Sequence, residues 1–248
     1  MRALRFHGPG DVRVEEVPDP RPGPGDVLVR VEVALTDGTD LKTFRRGHPL
    51  LLDDLPSPFG HEFCGVDVAT GRRVVAANSA PCGECDSCTR GQPTQCRRLE
   101  LLNGAYAELL VVPERIARTN LLPVPPGLAP EVAAMVEPLA CVLHGIECAG
   151  VREGDEVAIL GAGPIGLMLA ACAADAGGRP VIVGGRRERL VLAEDFGARA
   201  GDGAGADVVI EAAGTAAAWH DAVALARRGG TVVFFGGLAH GERPPIDA

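Results

Sequence analysis

The chain has 248 residues, a formal net charge of −9 and 46% hydrophobic residues, length enough for one or two domains with sizeable cores. The acidic balance argues against an extended nucleic-acid footprint, and no apolar run is long enough to span a bilayer. Met1 to Phe6 lacks the apolar core of a secretion signal, and four of the eight cysteines cluster at metal spacing, so a reducing cytoplasm is expected.

Met1 to Phe6, Val12 to Val17 and Asp26 to Leu35 alternate as short strands, with a proline-rich loop from Pro18 to Gly25. Such runs imply a small, mostly β domain. Asp37-Gly38-Thr39-Asp40-Leu41-Lys42 reads as a turn entering a short helix, and Gly60-His61-Glu62-Phe63 precedes a strand from Cys64 to Val68. Cys82-x-x-Cys85-x-x-Cys88-x7-Cys96 follows, with Gly83 and Gly91 permitting tight turns. Four sulfur ligands at this spacing can close a tetrahedron around a structural zinc, ordering a lobe at about 80–98 that has little core of its own. Disulfides and an iron–sulfur cluster are the alternatives. Cys64, Cys141, Cys148 and Cys172 lie in apolar runs and read as small core residues. His144 reads as a packed core histidine.

Leu109 to Val112 restarts strand patterning, a helical run surrounds Ala129 to Met135, and Glu137 to Cys148 reads as a helix joining two domains. Val157 to Leu160 is then a buried strand, Gly161-Ala162-Gly163-Pro164-Ile165-Gly166 fits G-x-G-x-x-G, and a helix continues to Ala174 before the strand Val181 to Val183. The first glycine allows the tight turn, the second lets a pyrophosphate reach the backbone, and the third lets helix and strand pack closely. Between a strand and a helix, this motif predicts dinucleotide binding. NAD sites usually carry an acidic residue at the end of the second strand. Here Gly184-Gly185 stands there, followed by Arg186-Arg187, whose guanidinium groups suit a 2′-phosphate. NADP(H) is therefore favoured over NAD(H), the alternative being that both arginines are solvated residues at a helix start. Helices at Glu188 to Phe196 and Ala216 to Arg227, with strands at Asp207 to Glu211 and Gly230 to Gly236, complete an alternating pattern that implies a parallel sheet.

The order of parts resembles the medium-chain, zinc-dependent alcohol and polyol dehydrogenases (sorbitol-, threonine- and glucose-dehydrogenase-like), from Met1 to about Gly237. Gly-His-Glu at 60–62 and Glu137-Pro138-Leu139-Ala140 match that family's metal and acidic motifs. Asp37-Gly38-Thr39-Asp40 matches its Cys-Gly-Thr/Ser-Asp turn, with Asp at the usual thiolate place. The resemblance implies a GroES-like β domain over 1–146 and a Rossmann domain over 147–248, an α/β architecture. It implies a catalytic zinc held by Asp37, His61 and Glu62 or Glu137, since zinc accepts carboxylate as well as imidazole.

It further implies metal-assisted hydride transfer between a nicotinamide and a small alcohol or carbonyl substrate such as a polyol or sugar. Thr39 would carry the proton, and Lys42, the one lysine in the chain, stands where relatives often have a relay histidine. Relatives usually continue through a last strand and return to the β domain. This chain therefore resembles a shortened member whose exposed sheet edge needs covering by a loop or a partner, as in a homo-oligomer. Two other readings compete: a non-catalytic relative that binds nucleotide or a protein partner, and a zinc-free reductase of quinones or enones. The four-cysteine lobe and Gly-His-Glu count against the last.

Overall fold

The structure, a computed structural model, describes residues 1–52, 54–239 and 241–246. It comprises two compact units, Met1–Glu137 and Pro138–Ala248.

The first unit is built on antiparallel strands. Arg2–Gly8 pairs with Asp11–Glu16 and Ser57–Pro58. A five-stranded sheet runs in the order Leu121–Pro123, Arg73–Ala76, Glu62–Asp67, Val27–Leu35, Leu109–Val112. Its inward-facing side chains, among them Val29, Phe63, Val74, Leu110 and Val112, form the core with Ile116 of the helix Glu114–Asn120. Glu62–Asp67 is the middle strand, buried along almost its whole length. That position carries Glu62 and the adjoining His61 into the interior although both are polar.

The second unit is a parallel sheet in the order Arg199–Ala200, Arg179–Val183, Glu156–Leu160, Ala206–Glu211, Ala226–Phe234. The order reverses beside Glu156–Leu160, so the loop leaving that strand sits where open parallel sheets bind ligands. Ile159, Ile182 and Ile210 pack with Leu169 of the helix Pro164–Asp175 and with Val142 and Ile146 of the helix Val136–Ala149. Among the described residues, no helix is long and apolar enough to cross a membrane.

Three expectations change. In place of one helix from Glu188 to Phe196 there is a short helix, Arg187–Leu190, and a 3₁₀ turn, Glu194–Phe196. Three-residue-spaced bonds such as Ala193 N–H to Leu190 C=O tighten the segment, and Gly197, at φ +72°, ends it. The last helix stops at Leu225 rather than Arg227 because the final strand begins at Ala226, paired to Ala206, and Arg227 reaches Asp207 at 2.7 Å. His144, Cys141 and Cys148 are exposed rather than packed in the core. Their helix turns Val142, Gly145, Ile146 and Ala149 inward, so a nearly continuous apolar sequence still buries only one face. Cys64 is buried and Cys172 partly buried, as expected.

Candidate metal centres and dinucleotide site

The sulfur lobe closes around its four cysteines. Cys82, Cys85, Cys88 and Cys96 offer Sγ atoms that all lie within 4.8 Å of one another, and none of them forms a disulfide. Cys85 Sγ stands 3.5 Å from Cys88 Sγ and 3.8 Å from Cys96 Sγ. Zinc–sulfur bonds of about 2.3 Å at tetrahedral angles would set such pairs about 3.7–3.8 Å apart. Cys85 caps the one-turn helix Asp86–Thr89, and Gly83 and Gly91, both at positive φ, fold the loops back. Backbone N–H groups of Cys82 and Arg98 point at Cys96 Sγ. N–H groups of Cys88 and Arg97 stabilise the Cys85 thiolate and pull its pKa down to about 6. Burial and the neighbouring thiols push Cys88 up to about 11. The donor set fits a closed structural zinc.

The second cluster draws on three distant segments. Asp37 caps the helix Gly38–Arg46: its Oδ1 accepts the Asp40 N–H at 2.9 Å, and Asp40 Oδ2 accepts the Asp37 N–H at 3.2 Å. This reciprocal box fixes both carboxylates. His61 Nδ1 lies 3.2 Å from Asp40 Oδ1, and His61 Nε2 lies 4.0 Å from Asp37 Oδ1. Tyr106 OH donates to Asp40 Oδ2 at 2.6 Å. His61 also groups with Glu62 and Glu137, one ligand atom of each lying within 4.8 Å of the others. The structure thus brings together Asp37, His61, Glu62 and Glu137, and adds Asp40, which the sequence marks only as part of a turn. The signal for Asp40 was its place three residues after the cap, where a carboxylate completes the box.

Four carboxylates around one imidazole leave an excess of negative charge in a buried setting. Burial alone would lower the His61 pKa, but the Asp40 bond and the charges of Asp40, Asp37 and Glu137 carry it to about 9. Burial and the Asp37 charge push Glu62 up to about 7. Burial likewise raises Glu137. Burial opposes ionisation of Asp40, yet its bonds to His61 and Tyr106 hold it below the usual carboxylate range. Glu62 Oε1 is buried without a hydrogen-bond partner. An unpaired buried carboxylate oxygen beside an imidazole is what a divalent cation satisfies, so the donor set fits zinc here too. Asp40 on Nδ1 leaves Nε2 as the donor nitrogen, the carboxylate–histidine arrangement that orients metal ligands. Thr39 and Lys42 are partly buried and share the helix Gly38–Arg46, one turn apart.

The dinucleotide turn has its glycines where the chain needs them. Gly161 has φ +117°, and its N–H bonds Val183 C=O at 3.0 Å. A Cβ on Gly166 would lie 1.9 Å from Gly161 O, so only glycine lets the helix start that close. Gly163 caps the helix Pro164–Asp175 with Pro164 in its first turn and Ile165 following. A Cβ on Gly163 would meet only Arg189 Nη1, at 3.9 Å. The protein's own packing does not demand that glycine, whereas a phosphate on the helix N-terminus would. Gly184, Arg186 and Arg187 are exposed beyond the second strand, whose end carries Gly184-Gly185 in place of an acidic residue. Arg189, which the sequence did not single out, is the guanidinium that reaches the turn. Its spacing of three from Arg186, on one side of a helix, was the available signal.

Comparison with known proteins follows the same lines. The family profile for the alcohol dehydrogenase GroES-like domain matches residues 23–126, and that for zinc-binding dehydrogenases matches 164–248. L-galactonate-5-dehydrogenase of Escherichia coli K12 is 33% identical over 98% of this chain and 77% of its own length. Erythritol/L-threitol dehydrogenase of Mycolicibacterium smegmatis is 33% identical over 95% of this chain and 76% of its own. Among solved structures, a Sinorhizobium meliloti 1021 protein described as a zinc-binding dehydrogenase, bound to NADP, superposes with TM-score 0.89 at 34% identity. That match covers 99% of this chain and 79% of the other. Alcohol dehydrogenase TADH from Thermus sp. ATN1 gives TM-score 0.84 at 32% identity, over all of this chain and 80% of its own.

Proposed function

This chain belongs to the zinc-binding, GroES-like alcohol dehydrogenase family, and we propose that it moves a hydride between NADP(H) and a polyol, sugar or related secondary alcohol or ketone. The observation that carries the reading is the buried His61 among Asp37, Asp40, Glu62 and Glu137, with Glu62 Oε1 unpaired. Zinc held by His61 with Asp37 and Glu62 or Glu137 would supply Lewis-acid polarisation of the substrate oxygen. Asp40 accepts the Nδ1 proton and keeps His61 in one tautomer, while Tyr106 OH holds Asp40 in place. Thr39 Oγ1 accepts the hydroxyl proton of the alcohol while handing its own hydroxyl proton to Lys42, one turn along the same helix. Cys82, Cys85, Cys88 and Cys96 hold a second zinc whose role is to order their lobe.

For the cofactor, Gly161, Gly163 and Gly166 with the N-terminus of Pro164–Asp175 cradle the pyrophosphate. Arg186 and Arg187 meet the 2′-phosphate, which supports NADP(H) over NAD(H), while Arg189, beside Gly163, faces the pyrophosphate. The NADP-bound relative supports the same preference, and the polyol and sugar-acid relatives support the substrate class.

The test is metal content together with turnover. About two zinc ions per chain are expected, with NADP-dependent oxidation of some member of a polyol panel that Asp37→Ala and Thr39→Ala abolish. A folded, zinc-loaded chain that binds NADPH but turns over no alcohol or ketone would establish the non-catalytic reading instead.

A further inference from the structure

The strand Ala206–Glu211 pairs with Glu156–Leu160 on one side and with Ala226–Phe234 on the other, so its carboxyl end borders the crevice where the sheet order reverses. Val208, Val209 and Ile210 are buried, and the next residue, Glu211, is fully buried as well. A carboxylate is a costly filler at such a place, and the broken apolar pattern marks a position held for something other than packing. Its Oε1 accepts the N–H of Ala213 at 2.8 Å and the N–H of Gly214 at 2.6 Å. Its Oε2 finds no hydrogen-bond partner among the described residues. Ala212 N–H bonds Leu160 C=O at 3.0 Å, so every N–H of the loop 212–214 is tied down, two of them by one oxygen.

The loop so pinned lies against the dinucleotide turn. A Cβ on Gly161 would touch Ala212 C and Ala213 N, both at 3.5 Å. The Glu211 C=O in turn accepts the N–H groups of Phe235 at 3.0 Å and Gly236 at 2.8 Å. A Cβ on Gly236 would lie 2.6 Å from Gly214 Cα and 2.7 Å from Glu211 Oε2, so only glycine lets the two chain segments meet there. Trp219 Nε1–H donates to Gly236 C=O at 3.2 Å, and its ring stacks on Phe234 with centroids 4.1 Å apart. Glu211 thus ties together the ends of two neighbouring strands next to the first glycine of the turn.

We infer that Glu211 is a positioning residue of the dinucleotide site, holding the 212–214 loop and Gly236 in the arrangement that borders the cofactor crevice beside Gly161. The inference rests on the cofactor reading above and adds to it a residue that acts only through the backbone it holds. A loop fixed in advance raises affinity because it need not be ordered at the moment of binding.

Calorimetry on the full-length, zinc-loaded chain compares NADPH binding in the native protein, Glu211→Ala and Glu211→Gln. Glutamine keeps one accepting oxygen for the two N–H groups, whereas alanine leaves both without a partner. Glu211→Ala is expected to weaken NADPH binding about tenfold and Glu211→Gln by less than about threefold, although the melting temperature falls in both. A residue that only stabilised the fold would lower the melting temperature and leave the Kd of the folded chain unmoved. A folded Glu211→Ala chain that binds NADPH as the native chain does, or a Glu211→Gln chain as weak as Glu211→Ala, overturns the inference. Hydrogen exchange of the native chain needs no variant: saturating NADPH is expected to slow exchange of the Ala213 and Gly214 amides about tenfold, and no slowing overturns the inference too. Unchanged affinity in both variants leaves the cofactor reading standing, whereas a native chain that binds neither NADPH nor NADH ends both.

Discussion

The sulfur lobe and the His61 cluster are both candidate zinc sites of the first unit, yet they are built on opposite principles. The lobe takes its four donors from a 15-residue stretch, Cys82 to Cys96, whose residues are mostly exposed. With so few apolar side chains inside it, the lobe depends on its metal for order. The cluster takes Asp37 from a helix cap, His61 and Glu62 from the start of a buried middle strand, and Glu137 from the start of another helix. Here the fold exists first and imposes the site. It holds ionisable groups where solvent cannot relieve them, and leaves Glu62 Oε1 without a partner. Local donors in a closed sulfur set make a structural element, whereas donors imported by the core make a strained, reactive one.

The widest separation of the two should come from His61→Ala. Turnover is expected to fall on the order of 10³-fold or more while the lobe keeps its zinc, so metal analysis should drop from two ions to one. Cys88→Ser reverses the pattern: the lobe loses its zinc, the 82–96 segment becomes the first site of proteolytic cleavage, and the melting temperature falls. If either variant loses both metals, the two sites are coupled and the contrast fails.

Asp40→Asn tests orientation rather than ligation. Apparent zinc affinity at the cluster and kcat should each drop about 10–100-fold with the fold intact, as measured by competition with a chromophoric chelator. Proton competition sharpens the contrast further. Zinc must displace the His61 proton, which is held up to about pH 9, and below about pH 7 the Glu62 proton as well. Affinity at the cluster should therefore rise about tenfold per pH unit from 7 to 9 and flatten above, and should steepen in its fall below 7. A pH-independent zinc affinity over that range would contradict the charge arrangement around His61. The smallest effect is expected at the cofactor. Arg186→Ala should raise the KM for NADP about tenfold and leave the KM for NAD within about twofold.

Much of this was legible residue by residue. The lobe, the G-x-G-x-x-G turn and the strand Leu109–Val112 follow from short-range spacing, because each depends on neighbours a few positions away. Asp37, His61, Glu62 and Glu137 could be named as candidates, since each stands in a recognisable local motif. Asp40 and Arg189 escaped notice because their importance lies in what they face, His61 Nδ1 and Gly163, across stretches of chain with no fixed register in sequence. The sequence reading packs His144 and Cys148 in the core for the same reason: a nearly continuous apolar run does not announce which face of its helix the sheet will cover.

By itself, then, the sequence determined the parts: a β unit, a sulfur-bearing loop, a parallel α/β unit and the chemical types at each turn. Those are set by periodicity, glycine geometry and ligand chemistry, which act over a few residues. Only the tertiary structure decided which carboxylates share one imidazole, which oxygen goes unpaired and which thiol meets solvent. Burial and electrostatic crowding are properties of side chains brought together from distant positions, and packing alone sets those distances.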